Sequence, residues 1–541
     1  MRTRQTEEDK AIEELVNEDF LYFLLEKWLI SSGESAGEPY SFRDRPFLLD
    51  IVKDTFPYKV EMKSAQSGLS EINSAEAIWR AKTRKGNILY TFPAGEQLQQ
   101  FVDSRPRNAI AINPYLQKFV TGSLNLKKFS ICNNQIFFRG VQKRRQIISI
   151  DVNSIFVDEI DAYDEPETII DTLTKRLGAS ASPTKRYFST ASFHGTGIAL
   201  FYYGSDSHRE KGSDQRVYSY RCTHCGQWNE DLLFPENLID LNEKDVKFSH
   251  YQPNVIIVCR FCHKALDRLN ALKQWVPKLT SNSNYCHGYH ISKLLILNSN
   301  LNDMWLDSQN PLKEQEFWNS DMGLPYEPKG SRITDSVLDN CRGTHTILRK
   351  IERKTCVGVD IGNKIHVVAG YYDENNIPKL MDAQELDDWD ELDRYYDQVN
   401  CGCMVIDMNP DKDEAIAFQT RHSNVWLAFY GQYLEKTSDL FAKNLDDNIL
   451  SIHRTLMMMT VSDIVHNKQV AFPMDIRSVK GFYEHLKAPI KAQKQDVHGD
   501  WVTWYPKTKN ADHYYHTLIY WFSALQLKPK PAIFSLKKMF V

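Results

Sequence analysis

The segment KVEMKSAQSGLSEINSAEAIW, residues 59–79, constrains the fold more than any other. An alternating strand-like run, a short loop with one glycine and an amphipathic helix-like run follow one another without spacers. This strand–loop–helix order belongs to parallel α/β sheets, and it is the order a phosphate cradle requires. Against the pattern GxxxxGK[ST], Gly68 and Ser70 keep the second glycine and the hydroxyl, Leu69 stands where the lysine belongs, and Lys63 stands at the first glycine. The reading is a nucleotide loop over Lys63, Ser64, Ala65, Gln66, Ser67, Gly68, Leu69 and Ser70. Lys63 curls back over the β- and γ-phosphates, and the Ser70 hydroxyl sits on Mg²⁺. Backbone N–H groups of the loop and of the following helix N-terminus are expected to face the phosphates. The plain alternative is an ordinary strand-to-helix turn.

A second motif favours the nucleotide reading. In SIDVNSIFVDEIDAYDE the apolar strand Ile155–Val157 ends in Asp158 and Glu159. Such a strand delivers one acid to the magnesium shell and a second that orients the attacking water. Downstream, a short strand ends in Ser189, Thr190, Ala191 and Ser192, which resembles the turn coupling γ-phosphate state to movement in helicase-like motors. Arg139, Arg144 and Arg145 are candidates for a charge-neutralising finger, with a nucleic-acid backbone contact as the alternative for each. Strands alternating with helices between these motifs favour a parallel sheet.

Length and charge bound the rest. A chain of 541 residues with 42% hydrophobic composition builds more than one core. The apolar run FLYFLLEKWLI is broken by Glu26 and Lys27, so residues 8–30 read as an amphipathic helix and not a membrane span. A net charge of −4 leaves nucleic-acid contact to local basic patches at 143–145 and 487–494. Ten cysteines without a secretory signal suit a reducing compartment. Four of them, Cys222, Cys225, Cys259 and Cys262, form two C-x₂-C pairs, a spacing that closes a tetrahedral structural Zn²⁺ site with no open position. His224 and His263 read as bystanders.

From residue 355 the pattern changes. TCVGVDIGNKIHVVAGYY reads as a strand carrying Asp360, a turn and a second strand, and CMVIDMN presents Asp407 at a strand end. Two acids on neighbouring strands suit a two-metal phosphodiester site holding Mg²⁺ or Mn²⁺. A third ligand is expected from the late helix in KNADHYYHTLIYWFSALQL, where Asp512 and His516 lie on one face. Each acid alone has a bland alternative, a solvated strand end or a helix-start acid.

Together these motifs resemble the large terminase subunits of tailed bacteriophages, in the lambda-type-like branch with a cysteine-rich insertion; the likeness spans roughly residues 40–525 and includes FWNSDMGLPYEPKG. Several members carry the lysine at the start of the loop, which the resemblance assigns here to Lys63. It implies an α/β chain: a helical segment at 1–38, a P-loop ATPase domain at 39–280 with a zinc insertion at about 218–268, a linker at 281–348, an RNase H-like nuclease at 349–527 and a tail at 528–541. It further implies ATP-driven translocation of double-stranded DNA into a prohead, and cutting of concatemers. Glu159 would be the catalytic carboxylate, Asp158 a magnesium ligand, and Asp360 and Asp407 nuclease ligands with Asp512 or His516 as the third. Implied partners are the portal protein, the small terminase subunit and other copies in a ring, in the host cytoplasm and transiently at the portal vertex but not in the mature virion, with no membrane. The alternatives are a repair helicase-nuclease and a structural vertex protein with an inactive nucleotide fold.

Overall fold

The computed structural model describes residues 2–83, 86–141, 150–163, 166–205, 209–242, 252–310, 313–327, 330–431, 439–495, 501–505 and 511–527. Arg144, Arg145 and the tail at 528–541 lie outside them. The chain forms two compact units, residues 1–327 and 328–541. Among the described residues no helix is long and apolar enough to cross a membrane.

The first unit is built on one sheet. Its strands are β1 (Tyr58–Lys63), β2 (Ile88–Phe92), β3 (Val120–Asn125), β4 (Lys128–Ile131), β5 (Asn134–Gly140), β6 (Ser154–Asp158), β7 (Thr184–Ser189), β8 (Arg216–Arg221), β9 (Trp228–Asn229), β12 (Lys273–Pro277) and β13 (His287–Ile291), with β10 (Leu238–Asp240) and β11 (Val255–Ile257) in a separate hairpin. The sheet order is β12-β8-β13-β1-β7-β6-β2-β5-β4-β3, with β9 on β8. From β8 to β5 every neighbouring pair is parallel. The central strands read as near-continuous buried runs, as strands covered on both faces must. All six residues of β1 are buried, Lys59 and Glu61 included.

Those buried charges fasten the helix that follows the loop, Leu69–Thr83. Asn73 donates to Glu61 at 3.0 Å. Arg186 on β7 grips Glu76 with two bonds, Nε–Oε2 at 3.0 Å and Nη2–Oε1 at 2.9 Å. Burial opposes the Glu76 charge, but Arg186 overcomes it and holds the carboxyl well below its usual range. Stranding one partner of such a pair costs about 3–5 kcal/mol, so the helix is held in register on the sheet.

Two expectations need correcting. Residues 8–30 are not one helix: Asp19 accepts from Leu21 N–H and caps a second helix, Phe20–Lys27, behind Arg2–Glu18. A capping aspartate offsets the break by satisfying an orphan donor. The stretch 281–327 is not linker either. Its strand β13 lies between β1 and β8 in the sheet, and the helix Leu301–Gln309 and a turn of π-helix at Phe317–Asp321 follow. A short strand that contains two histidines and a glycine has little periodic signal of its own, and only pairing with β1 reveals it.

The second unit carries a mixed sheet of β14 (Thr355–Ile361), β15 (Ile365–Tyr372), β16 (Pro378–Leu386), β17 (Cys401–Asp407), β18 (Val425–Tyr430), β19 (Phe441–Asn444) and β20 (Ile449–Ile452), ordered β16-β15-β14-β17-β18-β20-β19. β16, β15 and β14 are antiparallel neighbours; β14, β17, β18 and β20 run parallel. The C-terminal helix His513–Leu527 is apolar nearly all round, with Leu518, Ile519, Tyr520 and Trp521 fully buried against this sheet. It lies close because Gly358 on β14 has no side chain: a Cβ there would sit 2.2 Å from Thr517 O and 2.3 Å from Trp521 N.

Candidate functional site

In the first unit, the loop after β1 turns through two residues in the left-handed region, Gln66 (φ 59°) and Gly68 (φ 92°), before the helix begins at Leu69. Gly68 meets that conformation at no steric cost. The turn brings Lys63 Nζ to 3.1 Å from Glu159 Oε1, and Ser70 Oγ to 3.1 Å from Asp158 Oδ2. Residues far apart in sequence thus converge as expected. The first-turn N–H groups of a helix have no intrahelical partner and are the donors an anion at this loop would meet. Ser64 and Ala65 are a correction: their N–H groups are bound to Ile291 O at 2.7 Å and Ser320 O at 2.8 Å, so the donors available to phosphate begin beyond them.

Electrostatics match the convergence. Burial pushes the Asp158 carboxyl up to about 7, with the adjacent Glu159 adding to the rise. Burial works against the Lys63 ammonium, yet the Glu159 and Asp158 carboxylates overcome it and raise its pKa. Three side chains the sequence reading missed stand here. Arg45 Nη2 donates to Gln66 O at 3.2 Å, and Arg105 Nη1 pairs with Glu71 Oε2 at 3.0 Å in the first turn of the helix. Asp161, its carboxyl pushed up to about 7 by burial, accepts the N–H groups of Ser192 at 2.8 Å and Ile198 at 2.9 Å. Arg139 is directed elsewhere: its Nη1 donates to the carbonyls of Lys127 and Phe138.

The turn Ser189–Ser192 is tied on both sides. Ser189 Oγ accepts from Asp161 N–H at 3.2 Å, and Ser192 O accepts from Tyr326 N–H and Asn319 Nδ2, each at 3.0 Å. Ala191 is buried and Thr190 half-buried. Residues 319–326 therefore touch both the loop, through Ser320, and this turn. Gly323 permits the approach, since a Cβ there would lie 2.7 Å from Ser64 N.

The four cysteines assemble. Cys222 Sγ lies 3.8 Å from Cys262 Sγ, and Cys225 Sγ 3.7 Å from Cys259 Sγ. A tetrahedron with metal–sulfur bonds of about 2.3 Å has edges of about 3.8 Å, so the four thiols fit Zn²⁺. Asn229 Nδ2 donates to Cys259 Sγ at 3.3 Å, a bond that suits a thiolate. His224 contributes only its backbone N–H, to Cys222 Sγ. Purified protein is expected to carry one zinc per chain by elemental analysis. Cys225→Ser should lose it and melt lower, because Cys225 is exposed and its thiol is one of the four that the ion would join. A zinc-free chain with unchanged melting would contradict this.

In the second unit, β14 and β17 run parallel with Val359 opposite Ile406, which sets Asp360 and Asp407 side by side at their ends. Burial pushes the Asp407 carboxyl up to about 6, and Asp360 adds to the rise. Burial also raises the Asp360 carboxyl, against a hydrogen bond from His513. The helix His513–Leu527 brings His513 Nδ1 to 2.8 Å from Asp360 Oδ2, and His516 Nε2 to 3.2 Å from Asp512 Oδ2. His516 also bonds Tyr430 through Nδ1. Asp512 and His516 thus pair with each other: burial disfavours both charges, yet Asp512 is held low by His516, and His516 is held high by Asp512. The sequence reading missed His513 and His366. His366 was legible, since a turn of residues 362–364 in a hairpin places it opposite Asp360.

A parallel sheet with a lysine, a hydroxyl and paired carboxylates at one strand-to-helix loop defines a P-loop ATPase-type unit. Residues 37–274 match the family described as phage terminase large subunit gpA, ATPase domain. The fold of the chain is similar to the large terminase of bacteriophage HK97, at 11% identity over 94% of this chain and 99% of that one, with a TM-score of 0.53. Weaker similarity is found to the large terminase ATPase domain of a Thermus phage (11% identity, 53% of this chain and 94% of that one, TM-score 0.33). The large terminase nuclease of thermophilic phage G20c is 14% identical over 35% of this chain and 96% of that one, with a TM-score of 0.25. No curated protein matches the sequence.

Proposed function

We propose that the first unit hydrolyses ATP to drive duplex DNA through a prohead portal, and that the second unit, an RNase H-like nuclease, cuts that DNA. The observation that carries the motor reading is the 3.1 Å pair between Lys63 and Glu159. A lysine lodged on the carboxylate that would orient water has one anionic partner to trade for another. When phosphates enter, Lys63 swings to them and Glu159 is released to take up the attacking water. Ser70 and Asp158 flank the position where Mg²⁺ would rest, and that ion would offset charge on the phosphates. Asp161, bonded to the Ser189–Ser192 turn, transmits the change to residues 319–326.

In the second unit Asp360 and Asp407 would share divalent ions that hold the attacking and leaving oxygens of a phosphodiester. The match of residues 37–274 to the terminase large subunit ATPase domain supports assembly as a ring at the portal, with a small subunit selecting DNA. An inactive vertex protein would have no use for the convergence of Lys63, Ser70, Asp158 and Glu159.

Two variants separate the halves. Glu159→Gln is expected to bind ATP while losing about 10²–10⁴-fold in turnover, the range for a lost general base. Asp407→Asn should abolish cleavage of linear duplex and leave ATP hydrolysis unchanged. Cleavage that persists in Asp407→Asn would overturn the nuclease assignment, and full turnover in Glu159→Gln would overturn the motor.

A further inference from the structure

β14 and β15 form a tight hairpin in which Asp360 lies directly opposite His366. Opposed residues share a face, with Cβ atoms about 4.5–5.5 Å apart. The helix His513–Leu527, seated on Gly358, adds His513 from its first position. Ligand atoms of Asp360, His366 and His513 all lie within 4.8 Å of one another. An ion with bonds of about 2.1 Å separates adjacent donors by about 3.0 Å and opposite donors by about 4.2 Å, so a modest turn of a side chain brings the three onto one ion.

The surroundings prepare these atoms as ligands. On β16, Glu385 is opposite His366 and its Oε2 lies 3.5 Å from His366 Nε2. A carboxylate near one ring nitrogen favours the proton there and leaves the other lone pair for a metal. That other atom, His366 Nδ1, is buried and makes no hydrogen bond within ordinary limits, with the Lys364 backbone the polar group acting on the ring. A buried polar nitrogen left unpaired is costly, and a metal ion would satisfy it. The His513 side chain is 37% exposed, against 5% for His366, so the site opens to solvent on one side. There water or a phosphate oxygen can complete the shell. The His366 and His513 rings lie 12° from parallel with centroids 4.5 Å apart, so one must turn for both lone pairs to meet one ion. The exposure of His513 gives it room to do so.

We infer that Asp360, His366 and His513 bind one divalent transition-metal ion, two of whose three protein ligands are imidazole nitrogens. The inference rests on the nuclease reading only for its purpose; the binding itself is separate. Asp360 has two carboxylate oxygens, one toward His513 and one left for an ion shared with Asp407. Two imidazoles favour ions such as Zn²⁺, Co²⁺ or Fe²⁺ over Mg²⁺, whereas an all-carboxylate pair favours Mg²⁺ or Mn²⁺. Mn²⁺ is tolerated by both and is paramagnetic, so it is the probe.

The test is Mn²⁺ titration of the full chain, with pulsed electron paramagnetic resonance reading ¹⁴N coupling at the bound ion. Wild type is expected to show imidazole nitrogen coupling that depends on Asp360, lost in Asp360→Asn. His366→Gln and His513→Gln should each weaken Mn²⁺ binding at least about 10-fold and reduce the coupling. His516→Gln should leave the coupling intact. Melting curves check that each variant folds, and the partly exposed His513 keeps the test open if His366→Gln does not fold. Asp360-dependent Mn²⁺ without ¹⁴N coupling, or affinity unchanged in both histidine variants, would overturn the site while Mg²⁺-supported cleavage keeps the nuclease reading. Nitrogen-coordinated Mn²⁺ in a chain that cleaves DNA with no metal would do the reverse.

Discussion

Lys63→Ala is expected to reduce Mg²⁺-dependent ATP hydrolysis on the order of 10³-fold or more, the scale of a lost phosphate-facing cation. The size follows from position. Lys63 is buried, and within its reach stand the carboxylates of Glu159 and Asp158 and the start of the Leu69–Thr83 helix. Leu69, in the usual lysine position, is buried in the core and offers no charge. Leu69→Lys in the Lys63→Ala background should not restore turnover, because a lysine there would have to leave a fully apolar seat. Steady-state hydrolysis with linear duplex DNA reads both variants. Turnover indifferent to Lys63 would show that another cation, with Arg45 and Arg105 nearest the loop, does this work.

Gly358→Ala is expected to be the most damaging single methyl in the second unit. The added carbon would overlap two backbone atoms of the C-terminal helix, Thr517 O at 2.2 Å and Trp521 N at 2.3 Å, where ordinary contact needs about 3.5 Å. Backbone cannot rotate away as a side chain can, so the helix must lift by roughly an ångström or more. Overpacking of this kind costs about 1–3 kcal/mol and sometimes more. The lift also carries His513 and His516 away from Asp360 and Asp407. Differential scanning calorimetry should show a lower transition for the second unit, and DNA cleavage should fall with it. The first unit has its own cores, so ATP hydrolysis should survive. A variant with unchanged melting would mean the helix does not sit on β14 as described.

The parts of the molecule legible in the sequence are those whose signal is local. Strand, loop and helix around Gly68 follow from adjacent residues, and so do the acids at the ends of β6, β14 and β17. The cysteine pairs carry their spacing with them. What escaped depends on distant packing. Ser320 and Ile291 take the N–H groups of Ala65 and Ser64, and no pattern near residue 64 announces them. Strand β13 is defined by its neighbours β1 and β8, so its segment reads as linker until paired. Asp161 looks like one more acid in an acidic stretch, and only its two backbone donors set it apart. Helix spacing puts Asp512 and His516 on one face and so points to one of them as the third nuclease group. They do pair, with each other, and the residue that meets Asp360 is the intervening His513.

The most direct test of the relocated lysine is a structure of the protein with Mg²⁺ and a non-hydrolysable ATP analogue, measuring where Lys63 Nζ lies. It is expected to have left Glu159, now 3.1 Å away, for the β- and γ-phosphate oxygens, with Ser70 and Asp158 on the magnesium. Lys63 still paired with Glu159, and Arg45 or Arg105 on the phosphates instead, would contradict the account.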